Sequence, residues 1–503
     1  MGLRFLEIIH KKIDKNAKIS FIATIIIGCI AHLYKFTNNL PHFDTLNNFY
    51  SDQNVIGSGR WFLSIACAMS SFFDLPWIDG VFSLIFIACT VMLLVKILEV
   101  ENPIIIVLMS GITVTFPGIT ETFFYEYTAD GYMLAMLMVT MAAYISIKKS
   151  GIMSWMIPVI LIACTCGTYQ AYISYGILLI IVYYLLKILE NKENKSQIYK
   201  EIVKQIIIYI VGLLSYVILW KVLLILENTK PSRYQGIDSM QVSVSGIIHG
   251  LKHAWNDMGN LFWEDNPATG KITTYTVLNI VFVCVIIVVI CESIVKTKIY
   301  KNFFDFCIYL LGWSAIPNVI FMWNFVSETV IYRPMMIQSM TIFVIFIIIL
   351  SERYFRGIVR ECIAILIFCM IVNNTVVANI CYYYFNRSFI SSCATTSEII
   401  SRIHMVNSES KKIYIVGSHM PYDMDDSNIG QIFVLSDWIT KDLVSTEDYF
   451  IKFAREYFYE NYESADISNF RKGENYRIIK EMDVWPADGS VKVIDDVVVI
   501  KFR

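Results

Sequence analysis

Charge is what this 503-residue sequence has least of: Asp, Glu, Lys and Arg make up 17% of it, against about 25% in an ordinary soluble domain, which argues against a soluble fold. Neither sign is in excess, the net charge at pH 7 being −2, so nothing points to a nucleic-acid partner. Cysteine is present but carries no framework. The twelve run from Cys29 to Cys393, mostly inside apolar segments, and the last 110 residues hold none, so no disulfide pattern or zinc knuckle is readable and they read as small core hydrophobes. No small-residue cleavage site follows the first apolar run. Residues 1–18 therefore read as a basic amphipathic cytoplasmic segment ahead of a retained first span, not as a secretory signal. An internal repeat is missing as well, and with it the usual mark of a transporter built from two halves.

What is present is apolar surface in blocks. Hydrophobic residues make up 56% and the mean hydropathy is +0.56, gathered into runs of roughly 15–21 residues, the length a helix needs to cross about 30 Å of hydrocarbon. We read about eleven spans, at 19–34, 80–98, 103–119, 130–147, 152–167, 171–189, 205–226, 275–294, 304–320, 334–350 and 362–382. With a cytoplasmic amino terminus, nineteen Lys and Arg residues fall on inner segments and eight on outer loops before the tail, which is the positive-inside pattern. The stretch 61–73 is too short to span comfortably and reads as an interfacial or re-entrant helix. That parity puts the tail outside the cell membrane. The expected domains are the segment 1–18, a transmembrane domain at 19–382 with large outer loops at 35–79 and 227–274, and an extracytoplasmic α/β domain at 383–503.

In the tail, Lys412-Ile-Tyr-Ile-Val416 reads as a strand, 445–462 has helical periodicity, and 491–502 reads as a hairpin turning at Asp495-Asp496. The single glycine in Gly417-Ser-His is no phosphate loop.

Polar residues with chemical potential cluster at outer span ends. The first loop holds His42-Phe-Asp44, then Asp52, then Gly57-Ser-Gly59-Arg60-Trp61. A carboxylate beside an arginine just outside a membrane suits sugar transfer from a lipid phosphate, one group taking the acceptor proton and the other neutralising the departing phosphate. The plain alternative is ordinary loop acids and an arginine snorkelling to headgroups. Glu121, Glu126 and Asp130 lie within ten residues at a membrane boundary, where acids are costly unless they face water, protein or a cation; Asp130 could equally cap a helix. Tyr169 and Gln170 occupy a tight outer turn, and Arg333 precedes another span, close to Glu328 with which it could pair. His249, His253 and Asp257 are four apart, which gives one stripe on a helix with either metal-ligand potential or a merely polar face. Outer loops rich in aromatics and carboxylates suit sugar binding, and Trp/Tyr at that level also form the common interfacial belt.

Taken in order, the Asp44 loop, Ser58-Gly-Arg-Trp61, Leu75-Pro-Trp77, Thr115-Phe-Pro117, Tyr127-Thr-Ala-Asp-Gly-Tyr-Met-Leu-Ala135 and Gly167-Thr-Tyr-Gln-Ala-Tyr172 resemble the motifs of the serotype-converting O-antigen glucosyltransferases. Tyr332-Arg-Pro and Val484-Trp-Pro-Ala-Asp-Gly-Ser-Val491 extend the likeness more weakly. The resemblance implies an all-α polytopic fold of the C-type glycosyltransferase kind with a small C-terminal α/β domain, in a bacterial cytoplasmic membrane. It implies inverting, generally metal-independent transfer of glucose from a polyprenyl-phosphate donor to an envelope glycan, without a cofactor, and functional partners in a cytoplasmic donor synthase and a small flippase. Asp44 and Asp52 are then the candidate catalytic acids, Arg60 and Arg333 the donor-phosphate ligands, and Glu126, Asp130, Tyr169 and Gln170 the sugar or acceptor contacts. The family often carries adjacent acids or an Asn/His-Asp pair in its first loop; His42-Phe-Asp44 departs from this and leaves the base open between Asp44 and Asp52. The competing classes are a lipid-linked sugar or polysaccharide transporter and a surface-glycan polymerase or ligase.

Overall fold

The computed structural model describes residues 14–190, 195–239, 243–263, 274–327, 329–406, 410–418 and 443–502. Most of the 1–18 segment, Glu328 and parts of the 227–274 loop lie outside these. The chain divides into two compact units, Met1–Thr37 with Ser51–Asn379, and Asn38–Tyr50 with Ile380–Arg503.

The first unit is helical. Among the described residues nine helices are long and apolar enough to cross a membrane: Lys15–Thr37, Pro76–Leu98, Pro103–Thr122, Glu126–Lys148, Gln170–Glu190, Lys195–Leu226, Thr274–Thr297, Phe303–Ile320 and Ile358–Val406, the last of which continues into the second unit. The other two expected spans are shorter helices, Met153–Thr168 with 16 residues and Met340–Tyr354 with 15, the latter led in by a 3₁₀ turn at Pro334–Ile337. The 61–73 stretch contains only the five-residue helix Leu63–Cys67 and a following 3₁₀ turn, and does not span.

Local chemistry starts these helices. Pro76, Pro103 and Pro117 stand in the first helical positions, where their missing N–H is no loss, and Asn102 caps by accepting from Ile104 N at 3.0 Å. Several buried hydroxyls are satisfied within their own helix: Thr90, Thr113, Thr115 and Thr140 each donate to the carbonyl four residues back, which lets these polar residues sit in an apolar bundle.

Burial sorts the helices. In Pro103–Thr122, 83% of the apolar stretch is buried, and in Thr274–Thr297 and Lys195–Leu226 only 22%; the first lies in the core and the others offer apolar faces to lipid. At one end of the bundle, ion pairs tie the termini together: Lys96 to Asp14, Lys148 and Lys187 to Glu99, Arg353 to Glu190 at 2.6 Å, and Lys195 to Asp305. Such partly exposed pairs contribute little individually. They nevertheless gather on one face the span ends that the charge pattern groups as inner.

The second unit is built on a four-stranded sheet in the order β2-β1-β4-β3, with β1 Lys412–Val416, β2 Glu463–Ser464, β3 Val491–Ile494 and β4 Val497–Lys501. β1 pairs in parallel with β2 and β4, and β3–β4 is an antiparallel hairpin. Ile413, Ile415, Val498 and Ile500 meet Phe450, Phe453 and Ala454 of the helix Glu447–Phe458 on one face, and Val497 and Val499 meet Phe470, Ile479 and Met482 on the other. Phe43 and Leu46, from far earlier in the chain, belong to the first of these cores. Asn47 accepts from Lys452 Nζ at 2.5 Å, and Asn39 donates to the Tyr457 hydroxyl at 3.2 Å.

The hairpin turns on Asp495 and Asp496 at φ of 47° and 61°, the left-handed pair that favours Asn-Gly. Asp495 is also held by Asn475 Nδ2 at 2.6 Å, so Asp496 is the replaceable member. Asp496→Gly is expected to stabilise the hairpin by about 0.5–1 kcal/mol, read as slower amide hydrogen exchange along residues 491–501 of the full chain.

Candidate active site

The Lys15–Thr37 helix ends with Lys35 buried, its ammonium 2.8 Å from Glu126 Oε2, side chains 1% and 3% exposed. Glu126 opens the Glu126–Lys148 helix, and one turn on the same helix presents Asp130, whose Oδ1 accepts from Gly131 N at 2.7 Å. Asp79, in the first turn of Pro76–Leu98, accepts from Leu75 N at 3.0 Å, and Asp74 precedes it in the loop. Lys35 acts electrostatically on Glu126 and Asp74, Glu126 also feels Asp74 and Asp79, and Asp79 feels Asp74 and Asp130. Among the described residues, Glu126 Oε1, Asp130 Oδ2, Asp79 Oδ1 and Asp74 Oδ1 are buried with no hydrogen-bond partner. Acceptors withdrawn from water are costly unless a donor reaches them. Burial lifts the Asp74 carboxyl to about 6, the Lys35 ammonium pulling the other way.

Beside this acid group the Arg60 loop docks on the Tyr169 turn. Arg60 Nη1 donates to the Tyr132 hydroxyl at 2.9 Å, and its guanidinium lies 4.9 Å from the centre of the Tyr169 ring, within cation–π range. Tyr132 and Tyr169 stack with centroids 4.4 Å apart. Gln170 Nε2 donates to the Ser58 carbonyl at 2.7 Å and to the Tyr216 hydroxyl at 3.1 Å, Trp220 Nε1 donates to the Ile56 carbonyl at 2.7 Å, and Phe62 N to the Gly167 carbonyl at 2.7 Å. Gly59 turns the loop at φ +75°, and a Cβ there would collide with the Tyr216 hydroxyl and stand 2.6 Å from Gln170 Nε2.

A second arginine has the same kind of seat. Arg333 Nη1 donates to the Tyr125 hydroxyl at 2.5 Å, and the segment following it is tied down by Met335 N donating to Glu121 Oε2 at 2.9 Å. Glu121 in turn influences Tyr169 and Tyr172 electrostatically, as Arg60 does Tyr169. The two guanidiniums sit on different tyrosines, Arg60 on Tyr132 and Tyr169 and Arg333 on Tyr125, with Glu121 within electrostatic reach of Arg333 and of Tyr169.

Of the residues singled out in the sequence, Arg60, Arg333, Glu126, Asp130, Tyr169 and Gln170 all lie in the first unit. Asp52 is there too, exposed, its Oδ1 accepting from Asn54 N at 3.0 Å. Asp44 belongs to the second unit, on the 3₁₀ turn Phe43–Asn47, with 39% of its side chain exposed. His42 Nδ1 accepts from Asp44 N at 3.2 Å, so that nitrogen presents a lone pair, and the 3.8 Å approach of Asp44 Oδ2 to it is not an ion pair. His249 and His253 stack at 4.0 Å, while Asp257 accepts from Asn324 Nδ2 at 2.7 Å; among the described residues no three metal-ligating side chains converge.

A family model described as Glucosyl transferase GtrII matches residues 33–351, more than half of the chain. The chain belongs to this family. No curated protein and no solved structure matches it. Membership in the GtrII family implies glycosyltransferase activity, and the matched region contains both arginine seats and the acid group.

Sequence reasoning did not single out Lys35, Asp74, Asp79 and Tyr125 for this candidate site, and carried Tyr132 only inside the 127–135 motif, so that five of its residues went unmarked as site residues. Lys35 counted only as one positive charge outside a span. The available signal was position, since all five stand at span ends grouped as outer.

Removing Lys35 strands several carboxylates, whereas removing Glu126 strands one ammonium that Asp74 still faces. Lys35→Met is therefore expected to destabilise the protein by about 3–5 kcal/mol, and Glu126→Gln by less, in thermal melts of the detergent-solubilised chain. A second outcome concerns pH. With its folded value near 6 against an ordinary 3.8, Asp74 favours the fold most in its neutral form, and this contribution fades as pH rises through about 6. Melts from pH 4 to 8 should show the decline, and Asp74→Asn should remove it.

Proposed function

We propose that this GtrII-family protein transfers a sugar, glucose by the family's pattern, from a polyprenyl-phosphate donor to a cell-surface glycan, O-antigen or another envelope polysaccharide, with inversion at the anomeric carbon. The observation that carries the reading is the pair of tyrosine-seated guanidiniums, Arg60 and Arg333, in one unit with a group of buried acids. Guanidiniums match a phosphate's oxygens in geometry and charge. Buried carboxylate oxygens without donors match the hydroxyls of a pyranose, each hydroxyl donating one hydrogen bond.

In this reading an acceptor hydroxyl attacks the anomeric carbon from the side opposite the phosphate. The C–O bond to phosphate breaks, the polyprenyl phosphate leaves with the bonding pair and its charge is met by Arg60 and Arg333, and the hydroxyl proton passes to a carboxylate. Asp44 and Asp52 are the candidates for that carboxylate, both in the first outer loop with side chains open to water. Glu126, Asp130, Tyr169 and Gln170 orient sugar, and charge neutralisation is assigned to arginine without calling on a metal. The protein sits in the bacterial cytoplasmic membrane with the amino terminus inside and chemistry at the outer face. A cytoplasmic-side synthase makes the donor and a small flippase delivers it.

The test is transfer of labelled glucose from undecaprenyl-phosphate glucose to envelope glycan in membranes carrying each variant at matched expression. Loss of the base is expected to slow transfer by about 10²–10⁴-fold, so either Asp44→Asn or Asp52→Asn should remove visible product; full activity in both would eliminate these acids. Arg60→Ala and Arg333→Ala are expected to lower kcat/KM for the donor, and unchanged kinetics in both would remove the phosphate assignment.

A further inference from the structure

Within the outer segment that follows Lys195–Leu226 lies a 20-residue helix, Val244–Trp263, which is not among the candidate spans. At 1.5 Å per residue it is long enough to cross a bilayer, but His249, Lys252, His253, Asn256 and Asn260 give it a continuous polar face that hydrocarbon would not accept. Its other two faces differ from each other. Gly246, Gly250, Ala254 and Met258 form the inward stripe, and the two glycines let it close onto Phe325, whose carbonyl oxygen and ring would lie 2.8 Å and 2.5 Å from a Cβ at Gly246 and Gly250. Val244, Ile248, Leu251 and Trp255, at spacings of four, three and four, form an outward stripe 76%, 64%, 49% and 53% exposed.

Four large apolar side chains in one exposed stripe roughly 60° wide call for a cover. The helix packs against Thr274–Thr297 and Phe303–Ile320, whose own exposed residues, among them Val277, Val281, Leu310 and Leu311, form faces suited to lipid. The helix thus lies against two spans whose free faces suit lipid.

We propose that Val244–Trp263 is an in-plane membrane helix whose Val244-Ile248-Leu251-Trp255 stripe inserts at the headgroup–acyl boundary of the bilayer. A polar arc and a separate apolar arc that carries a tryptophan, in a helix too polar on the whole to cross, is the pattern of helices that lie in an interface. The helix also has a mechanical link inward. Asn324 Nδ2 donates to Asp257 Oδ2 at 2.7 Å, Asn324 N donates to the Tyr332 hydroxyl at 3.2 Å, and Arg333 follows. Seating this helix on the bilayer sets the depth of Arg333 relative to the headgroups, a consequence that rests on the donor-phosphate role given to Arg333 above; the membrane seating itself does not.

The full chain is reconstituted in vesicles made with phospholipid brominated near the headgroup end of its acyl chains, and Trp255 emission is isolated as wild type minus Trp255→Phe. Quenching by the brominated lipid with little quenching by aqueous iodide supports the proposal. Quenching by iodide alone overturns it, and so does quenching by neither, which would mean that protein covers the stripe. Ile248→Trp and Asn256→Trp in the Trp255→Phe background guard against a misfolded single variant: Ile248→Trp should follow the lipid quencher and Asn256→Trp the iodide, and the reverse pattern overturns the assignment. Glucose transfer plays no part in this readout, so a failed transfer assay leaves it intact and a failed quenching assay leaves the enzymatic reading intact. Where transfer is active, Ile248→Asp with Leu251→Asp should raise the donor KM in vesicles with kcat retained.

Discussion

The contact on which the first unit depends is the Lys35–Glu126 pair. Two charges held 2.8 Å apart and almost wholly out of water cost several kcal/mol each to desolvate, and only their mutual attraction and further polar neighbours recover it. Because Lys35 ends one span and Glu126 begins another, with Asp74 and Asp79 approaching from a third segment, the pair fixes how three parts of the chain meet. The aromatic seats of Arg60 and Arg333 build on that arrangement through Tyr125 and Tyr132, which flank Glu126 and Asp130 in sequence.

Both arginines are positioned in the same way, by a phenol hydroxyl accepting from a guanidinium nitrogen. A phenol hydroxyl orients the cation without neutralising it, so a guanidinium seated on tyrosine remains attractive to an anionic ligand. The surrounding loops are stiffened by contacts that tolerate little change, such as Gly59 against Tyr216 and Gln170. Such support holds an active group at one geometry more reliably than a loop alone.

The C-terminal unit is organised differently. β4 is buried on both faces between two apolar clusters, and part of one cluster is supplied by Phe43 and Leu46 from the far end of the sequence. Asp44 therefore stands on a turn whose shape is set by the unit that contains the tail, and its neighbours there are His42 from the same turn and Tyr449 from the far end of the sequence.

The sequence by itself determined the membrane character, the placement of nine of the eleven expected spans, the hairpin at Asp495-Asp496 and the family, because apolar run length, a period of two residues and ordered short motifs are local properties written along the chain. It also marked Arg60, Tyr169, Gln170, Glu126, Asp130 and Arg333, each carried by a motif at a span end. Tertiary structure alone decided that Lys35, Asp79 and Asp74 join Glu126, that Arg60 rests on Tyr132 and Tyr169, and that the Asp44 turn packs with residues some four hundred positions away. Those are contacts between distant segments. Which lysine finds which carboxylate, and which loop folds with which domain, depends on how helices of similar hydropathy pack against one another, and hydropathy does not distinguish the partners.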